Sequence, residues 1–580
     1  MKRRRFVRTA GVAGLGAMAA PGELLARGLD GDAGNRGLAP DSGWGGPIGL
    51  GERADLVLRG GVLVDGTGAP RRRLDVAVTG DRITAVGADL PVGSTELDVR
   101  DLAVAPGFID IHSHADLSLL VNNRAESRIR QGVTLEVVGQ DGGSIGPWSD
   151  GQFESTRDRY RDRGVEIDFR DPAGFVERIS RERPAVGVAT MVGNGALRGL
   201  VVGNEDRPAT EAEVARMKEL LADQIARGCV GLSSGLEYTP SGFADAAELA
   251  ELATVLQGSG YPYASHMRNE DDRLLGAVEE ALHVGRLAGV PVQISHLKAQ
   301  GQRNYWKAGA VLQLVERARA DGLDVHFDRY PYTAYATGLS NLFPSEFRAG
   351  GSGAFLRRLR APDTAELLER ACRDKVALLG DWNSVQISST NEETSWARGR
   401  RLGVLARERG VEPYALTLQL LEANGGGVGM IGHGMGEENT ATILAHPLGM
   451  CCSDGGAYAP YGPLSTGSPH PRGYGSFPRL LGHYVRDAGA LTLESAVHKI
   501  THMPARKLRL PGRGTVTVGA YADLVAFDPA TVADRATFDD PHQYPEGIPH
   551  VVVNGMLTLR DAEHTGRLGG RGAKGEAATR

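Results

Sequence analysis

Two histidines one residue apart close the apolar run VAPGFIDIHSHADLS, residues 104–118. Side chains at i and i+2 of a strand leave from the same face, so His112 and His114 project together from the strand's end. Two neutral imidazoles side by side suit a divalent metal, most often zinc. A His-x-His pair also arises by chance, so its partners decide. Other short apolar runs end in Gln140-Asp141, Asn194, Ser233-Ser234, His266, His296, Asp328 and Asp454. A lone histidine closing such a run is most often a core residue with a satisfied ring. Four histidines and an aspartate that close separate runs, or share one, converge more economically on one metal centre. Zinc lowers the pKa of bound water to about 7 and polarises a carbonyl oxygen. A carboxylate outside the ligand ring then takes the water's proton and passes it to a leaving group. Asp454, ending GMCCSD, is the candidate for that base; its competing reading is a turn aspartate before Gly455-Gly456. The implied reaction is hydrolysis of an amide or a similar C–N bond.

The elements that carry these ends alternate. TEAEVARMKELLADQIARG reads as a helix: Thr210 caps it, Glu213 completes a capping box, and Val214, Met217, Leu221 and Ile225 form its apolar stripe. Helical stretches of this kind lead into CVGLSSG, YPYASH, VPVQISH and LDVHFDRYPY. Helix alternating with apolar strand indicates βαβ units and a parallel sheet. Nine candidate strands appear: 103–112, 133–140, 186–193, 229–234, 261–265, 290–295, 323–330, 428–432 and 449–453. A (β/α)8 barrel takes eight, and 323–330 and 428–432 compete to be the surplus one. The expected fold is thus α/β, a distorted TIM barrel over 105–508 with its chemistry at the strands' C-terminal ends. Residues 336–426 break the alternation and read as an inserted lid. Short β-like runs over 54–104 and 509–562 are expected to pair as one small β-sandwich from both chain ends. Residues 563–580 read as a disordered tail.

The chain has 580 residues, with 65 basic and 71 acidic side chains and a formal net charge of −6. That balance gives no reason to expect a nucleic-acid partner. The four cysteines, Cys229, Cys372, Cys451 and Cys452, form no CxxC pair and read as buried free thiols. Residues 1–26 have the pattern of a signal peptide. Arg3-Arg4-Arg5-Phe6-Val7-Arg8 is similar to a twin-arginine motif and leads to Ala17-Met18-Ala19 as a cleavage-like site. Export to the periplasm or medium is expected, followed by a linker over 27–53. No run reaches the length of a membrane span.

The assembled residues resemble the amidohydrolase superfamily, through PGFIDIHSH and the return MPARKLRLPGRGTVTVGAYADLVAFDP. More narrowly, QGVTLEVVGQDG, GLEYTP, SHMRNE, ISHLKAQG, DRYPYTA, SDGGAY and PHPRGYGSFPRLLG resemble the N-acyl-D-amino-acid deacylases, or D-aminoacylases, from about residue 54 to 560. The resemblance implies one or two zinc ions and a small N-acyl-D-amino acid substrate. It makes His266 and His296 ligands of a tightly held ion, His112 and His114 ligands of a looser one, and Asp454 the base. It puts Lys298, Tyr330 and Arg472 on the substrate's α-carboxylate, a task that suits Arg and Lys. Two positions depart from the family. Gln140-Asp141-Gly142 stands where many members have Asn-Cys-Gly, so a carboxylate would bridge and metal preference would move toward manganese or cobalt. Glu136 is the fallback ligand, although five residues earlier on a strand it faces the other way. Asn194 stands where a histidine is expected. The alternatives are a dipeptidase-like or hydantoinase-like amidohydrolase, or an exported binding protein on an inactive barrel. The usual carboxylated lysine of the hydantoinase type has no counterpart in CVGLSSGLEY, and every position the chemistry needs holds a competent residue.

Overall fold

Glu136 is the one charged side chain in the strand VTLEVV, and every residue of that strand is buried. Near-continuous apolar strands of this kind belong to a parallel sheet covered on both faces. The computed structural model describes residues 53–576. The expected export signal and nearly all of the expected linker lie outside them. Eight parallel strands form the barrel: β1 (Phe108–Asp110), β2 (Val133–Val138), β3 (Gly187–Thr190, continued by Val192–Gly193), β4 (Leu232–Gly235), β5 (Tyr263–His266), β6 (Val292–Ile294), β7 (Val325–Arg329) and β8 (Gly449–Cys451). The ladder runs β1-β2-β3 and then β3-β4-β5-β6-β7-β8, with the break inside β3 at Met191.

The seam between β8 and β1 is held differently. The Asp454 N–H donates to the His112 carbonyl at 2.8 Å, and the Ser453 N–H donates to the Asp110 carboxylate at 2.9 Å. A side chain therefore replaces part of the ladder. Arg128 lies buried behind this seam. It binds Glu136 through Nε (2.6 Å) and Nη2 (3.1 Å), the Asp110 carboxylate, and the Ser453 hydroxyl at 2.8 Å. Glu136 is thus committed away from the metal-ligand candidates, as the strand's alternation requires.

The crossover helices follow the apolar pattern. Thr210 and Glu213 close a reciprocal capping box on the helix Glu211–Ala226, which buries Met217 and Leu221. A cap of this kind stabilises a helix by about 1 kcal/mol.

Segment 428–432 is the surplus run, and 323–330 supplies barrel strand β7. Gly429–His433 pairs antiparallel with Ala334–Gly338 and with Val385–Ser389. This three-stranded sheet frames the insertion, which therefore reaches past both expected limits, 336 and 426. A five-residue apolar run has the same texture in either setting, so periodicity does not separate them.

The two chain ends share one nine-stranded sheet. Ala103–Pro106 belongs to this sheet, not to the barrel: it pairs with Leu524–Phe527, and the barrel strand starts only at Phe108. The described part of the expected tail, 563–576, also departs from expectation. Glu563–His564 extends the sheet. The chain then crosses to the barrel's N-terminal end, where Gly572 bridges to Val188 and the Ala573 N–H donates to the Val188 carbonyl at 2.7 Å. A Cβ on Gly570 would sit 2.1 Å from the Val186 carbonyl oxygen, so glycine permits this close approach. No helix among the described residues is long and apolar enough to cross a membrane. All four cysteines are buried and unpaired.

Candidate metal centre

The strand ends meet at the barrel mouth, beginning with the turn after β2. Gly139, Asp141 and Gly142 all take left-handed φ, at 74°, 53° and 72°. The Ser233 hydroxyl donates to the Gly139 carbonyl at 2.6 Å and accepts from the Gly142 N–H at 3.2 Å. Gln140 turns inward, its amide donating to the Ile111 carbonyl at 3.0 Å. The turn presses so closely on β4 that a Cβ on Gly235 would lie 2.0 Å from the Asp141 carbonyl oxygen. His296 and Asp454 are also left-handed, at φ 35° and 50°. Such backbone costs about 1–3 kcal/mol per residue and collects at functional sites. Hydrogen bonds enforce it here: the His296 N–H donates to Asp328 at 2.7 Å, and the Asp454 N–H donates across the seam.

These turns bring the four histidine candidates around the Asp141 carboxylate. Asp141 Oδ1 lies 3.3 Å from His112 Nε2. Asp141 Oδ2 lies 3.4 Å from His114 Nε2, 3.4 Å from His296 Nε2 and 3.6 Å from His266 Nδ1. His266 Nδ1 and His296 Nε2 are 2.9 Å apart. Asp454 Oδ1 stands 3.1 Å from His114 Nε2 and 3.7 Å from His112 Nε2. Neighbouring donors around a tetrahedral zinc, at 2.0–2.1 Å from it, are about 3.3 Å apart, so the spacing fits an ion. Two overlapping groups form, His112–His114–Asp141–Asp454 and Asp141–His266–His296, joined by Asp141.

The hydrogen-bond account makes the same point. Both ring nitrogens of the fully buried His112 lack a hydrogen-bond partner, and so does Asp141 Oδ1. Burial alone would lower the imidazole pKa values. The carboxylates outweigh it, raising His114 to about 9 through Asp141 and Asp454 and His266 to about 10 through Glu270, Asp141 and Glu237. Burial would raise Asp454, but Arg472 and the neighbouring rings hold it well below the usual carboxylate range.

Three carboxylates back the rings from outside. Asp328 Oδ1 lies 3.4 Å from His112 Nδ1, Glu270 Oε1 3.0 Å from His296 Nδ1, and Glu237 Oε2 3.5 Å from His266 Nε2. Carboxylates of this kind orient metal-binding histidines and raise their basicity. Asp328 was visible as a strand end. Glu237 and Glu270 were not singled out, although GLEYTP and SHMRNE contain them. The structure gives three other strand-end residues packing roles. Ser234 meets the Tyr263 hydroxyl at 2.7 Å, Ser233 pins the Asp141 turn, and Asn194 accepts from Ser241.

The three carboxylate-binding candidates border the same cavity, of about 730 Å³. Lys298 is buried, donates to Glu270, and sits 2.7 Å from His296 Nδ1. Arg472 donates to Asp454 Oδ2 at 2.6 Å, so without substrate its partner is the proposed base. The Tyr330 hydroxyl has no partner, and the ring lies 4.8 Å from the Arg472 guanidinium carbon. Tyr335 and Asn341 of the insertion wall the cavity on another side.

A model of the Amidohydrolase family matches residues 95–558. The chain belongs to the amidohydrolase family. This amidohydrolase is 38% identical over 519 residues to the D-aminoacylase of Alcaligenes xylosoxydans xylosoxydans, covering 89% of this chain and 97% of that one. Its fold is similar to that of the N-acyl-D-glutamate deacylase of Bordetella bronchiseptica, solved with zinc and a phosphonate mimic of the tetrahedral intermediate. There the TM-score is 0.76 at 34% identity, over 90% of this chain and 100% of the other. A D-aminoacylase solved to define its binuclear metal centre matches at TM-score 0.75 and 36% identity, over 90% and 100% of the two chains.

Proposed function

We propose that this amidohydrolase cleaves the amide bond of N-acyl-D-amino acids, giving a carboxylic acid and a D-amino acid. The observation that carries the reading is the Asp141 carboxylate among four ring nitrogens, with Asp454 beside it and a cation-and-phenol trio on the adjoining cavity wall. The D preference rests on the relatives' activities. His266, His296 and Asp141 would hold one zinc ion, and His112, His114 and Asp141 a second. A bound divalent ion supplies an electrophile for the amide carbonyl and lowers the pKa of water.

The chain's own residues do the rest. Lys298, Tyr330 and Arg472 hold the α-carboxylate, Arg472 by exchanging part of its hold on Asp454 for the substrate. Asp454 stays ionised beside Arg472, so its Oδ1 is free to accept a proton from the attacking water. As the C–O bond forms and the C–N bond breaks, the same oxygen returns that proton to the leaving amine. The cyclic-ureide alternative has no support in β4, whose sequence LSSG offers no lysine to carboxylate.

The test is turnover of paired N-acetyl D- and L-amino acids by zinc-loaded protein, with Asp454→Ala as control. Cleavage of the D series alone is expected; equal rates on both enantiomers remove the stereochemical claim, and cleavage of hydantoin but not linear amides replaces the reading. We also propose export through a twin-arginine signal, on the strength of Arg3-Arg4-Arg5-Phe6-Val7-Arg8. Secreted protein that still begins at Met1 would reject it.

A further inference from the structure

Resting on the deacylase reading, we infer that the preferred substrates carry uncharged apolar side chains and that acidic side chains are rejected. The argument is a census of charge around the cavity. Among the described residues that line it, the non-imidazole cations are Lys298 and Arg472. Both stand beside Tyr330, and together they match one carboxylate, the α-carboxylate every substrate has. Each is already balanced within the chain, Lys298 by Glu270 and Arg472 by Asp454.

A second carboxylate, from an aspartyl or glutamyl side chain, finds no further cation on the wall. It meets Asp116 and Glu237, which also face the cavity. Arg348 does not line the cavity; its Nη1 donates to the Asn341 side chain and its Nη2 to the Glu237 carbonyl, which hold it behind the wall. An anion that leaves water without a partner loses far more than a misfitted methyl group does.

One stretch of the wall suits hydrocarbon. The turn that presents Asp141 continues into Ile145, Pro147 and Trp148, with the Trp148 ring stacked on Phe169 at 6.2 Å. Tyr238 and Tyr335 close the cavity from two other elements. A bound apolar side chain is stabilised there by burial alone. Asp141 and the side-chain wall thus come from one segment, so the loop that binds metal also sets specificity.

The test is kcat/KM of the zinc-loaded protein on N-acetyl-D-methionine, -leucine and -phenylalanine against N-acetyl-D-glutamate and -aspartate. The apolar set should exceed the acidic pair by at least about a hundredfold. Trp148→Arg, which puts a cation on the same wall, should raise the glutamate-to-methionine ratio at least about tenfold. A gap under tenfold in the unaltered protein, or a preference for the acidic pair, overturns the inference and leaves the deacylase reading standing. An unchanged ratio in folded Trp148→Arg also overturns it. Cleavage of no N-acyl-D-amino acid removes both.

Discussion

Two buried charge clusters share the ends of β1, β2 and β8, the second drawing also on β5 and β6, and they differ in how completely they are paired. Around Arg128 the pairing is closed: Nε, Nη1 and Nη2 each reach an acceptor on Glu136, Gly473, Asp110 or Ser453. Around Asp141 it is open: His112 Nδ1, His112 Nε2 and Asp141 Oδ1 are buried with no hydrogen-bond partner. An unsatisfied buried polar atom costs about 1–3 kcal/mol. His112 Nδ1 at least faces Asp328, but His112 Nε2 and Asp141 Oδ1 face each other at 3.3 Å, a standing cost that a fold carries where an external group completes the pair. The closed cluster joins the barrel seam; the open one awaits an ion. Asp110 and His112 are two residues apart, so burial and residue type alone do not distinguish such roles. Completeness of hydrogen bonding does.

The largest test separates base from ligand inside the open cluster. Asp454→Asn should lower kcat by about 10³-fold with metal content unchanged by elemental analysis. Loss of metal in parallel would move Asp454 into the ligand ring. The second test strikes the closed cluster. Glu136→Gln removes one of the two carboxylates on Arg128 and leaves the Asp110 pair, and losing a charged hydrogen-bond acceptor of this kind costs about 1–3 kcal/mol. The urea midpoint should fall accordingly, while activity per bound metal in the folded protein holds. A fall in activity per metal without a change in midpoint would reverse the assignment of the two clusters.

This contrast also explains what was legible in the sequence. The ligand and base candidates could be picked out because a barrel mouth puts a polar residue at the end of an apolar run, and His112, His114, Asp141, His266, His296 and Asp454 are all in such places. Glu270 and Glu237 could not be read from spacing: each lies in a loop and matters only through the histidine it backs across space. Read from its neighbours in sequence, Lys298 looks like a surface lysine; the resemblance puts it in the site, and its burial against Glu270 at the cavity agrees. The tail misled for a related reason. RLGGRGAKG has the composition of a disordered segment, yet its glycines let the backbone lie against Pro184, Val186 and Val188, a long-range contact that composition does not encode.

The open cluster also has a pH signature in its affinity for metal. The carboxylates raise His112 well above the usual imidazole range, His114 to about 9 and His266 to about 10, which favours charged rings near pH 7. A metal ligand must be neutral, so loading the site releases protons. Apparent zinc affinity should therefore fall as pH drops near neutrality, by about tenfold per unit for each proton released. Calorimetry in buffers of different ionisation enthalpy counts the protons directly. Binding without proton release would mean that the carboxylates do not hold the rings in their charged form.

The mildest change probes the support behind the open cluster. Asp328 sits between the two halves of the ligand set: Oδ1 accepts the His296 N–H at 2.7 Å and faces His112 Nδ1 at 3.4 Å, while Oδ2 accepts from Gln293 at 2.7 Å. It therefore steadies one ligand through its backbone and another through its ring. Asp328→Asn keeps the shape but turns one acceptor into a donor, leaving His112 Nδ1 without a carboxylate and its ring free to take the wrong tautomer. Outer carboxylates of this kind contribute about 10–100-fold to metal affinity. Competition with a chelator should show a loss of that size, with the urea midpoint shifted far less than in Glu136→Gln. If the midpoint falls as far as in Glu136→Gln and affinity does not change, Asp328 belongs with the closed cluster, as one more group that holds strands together.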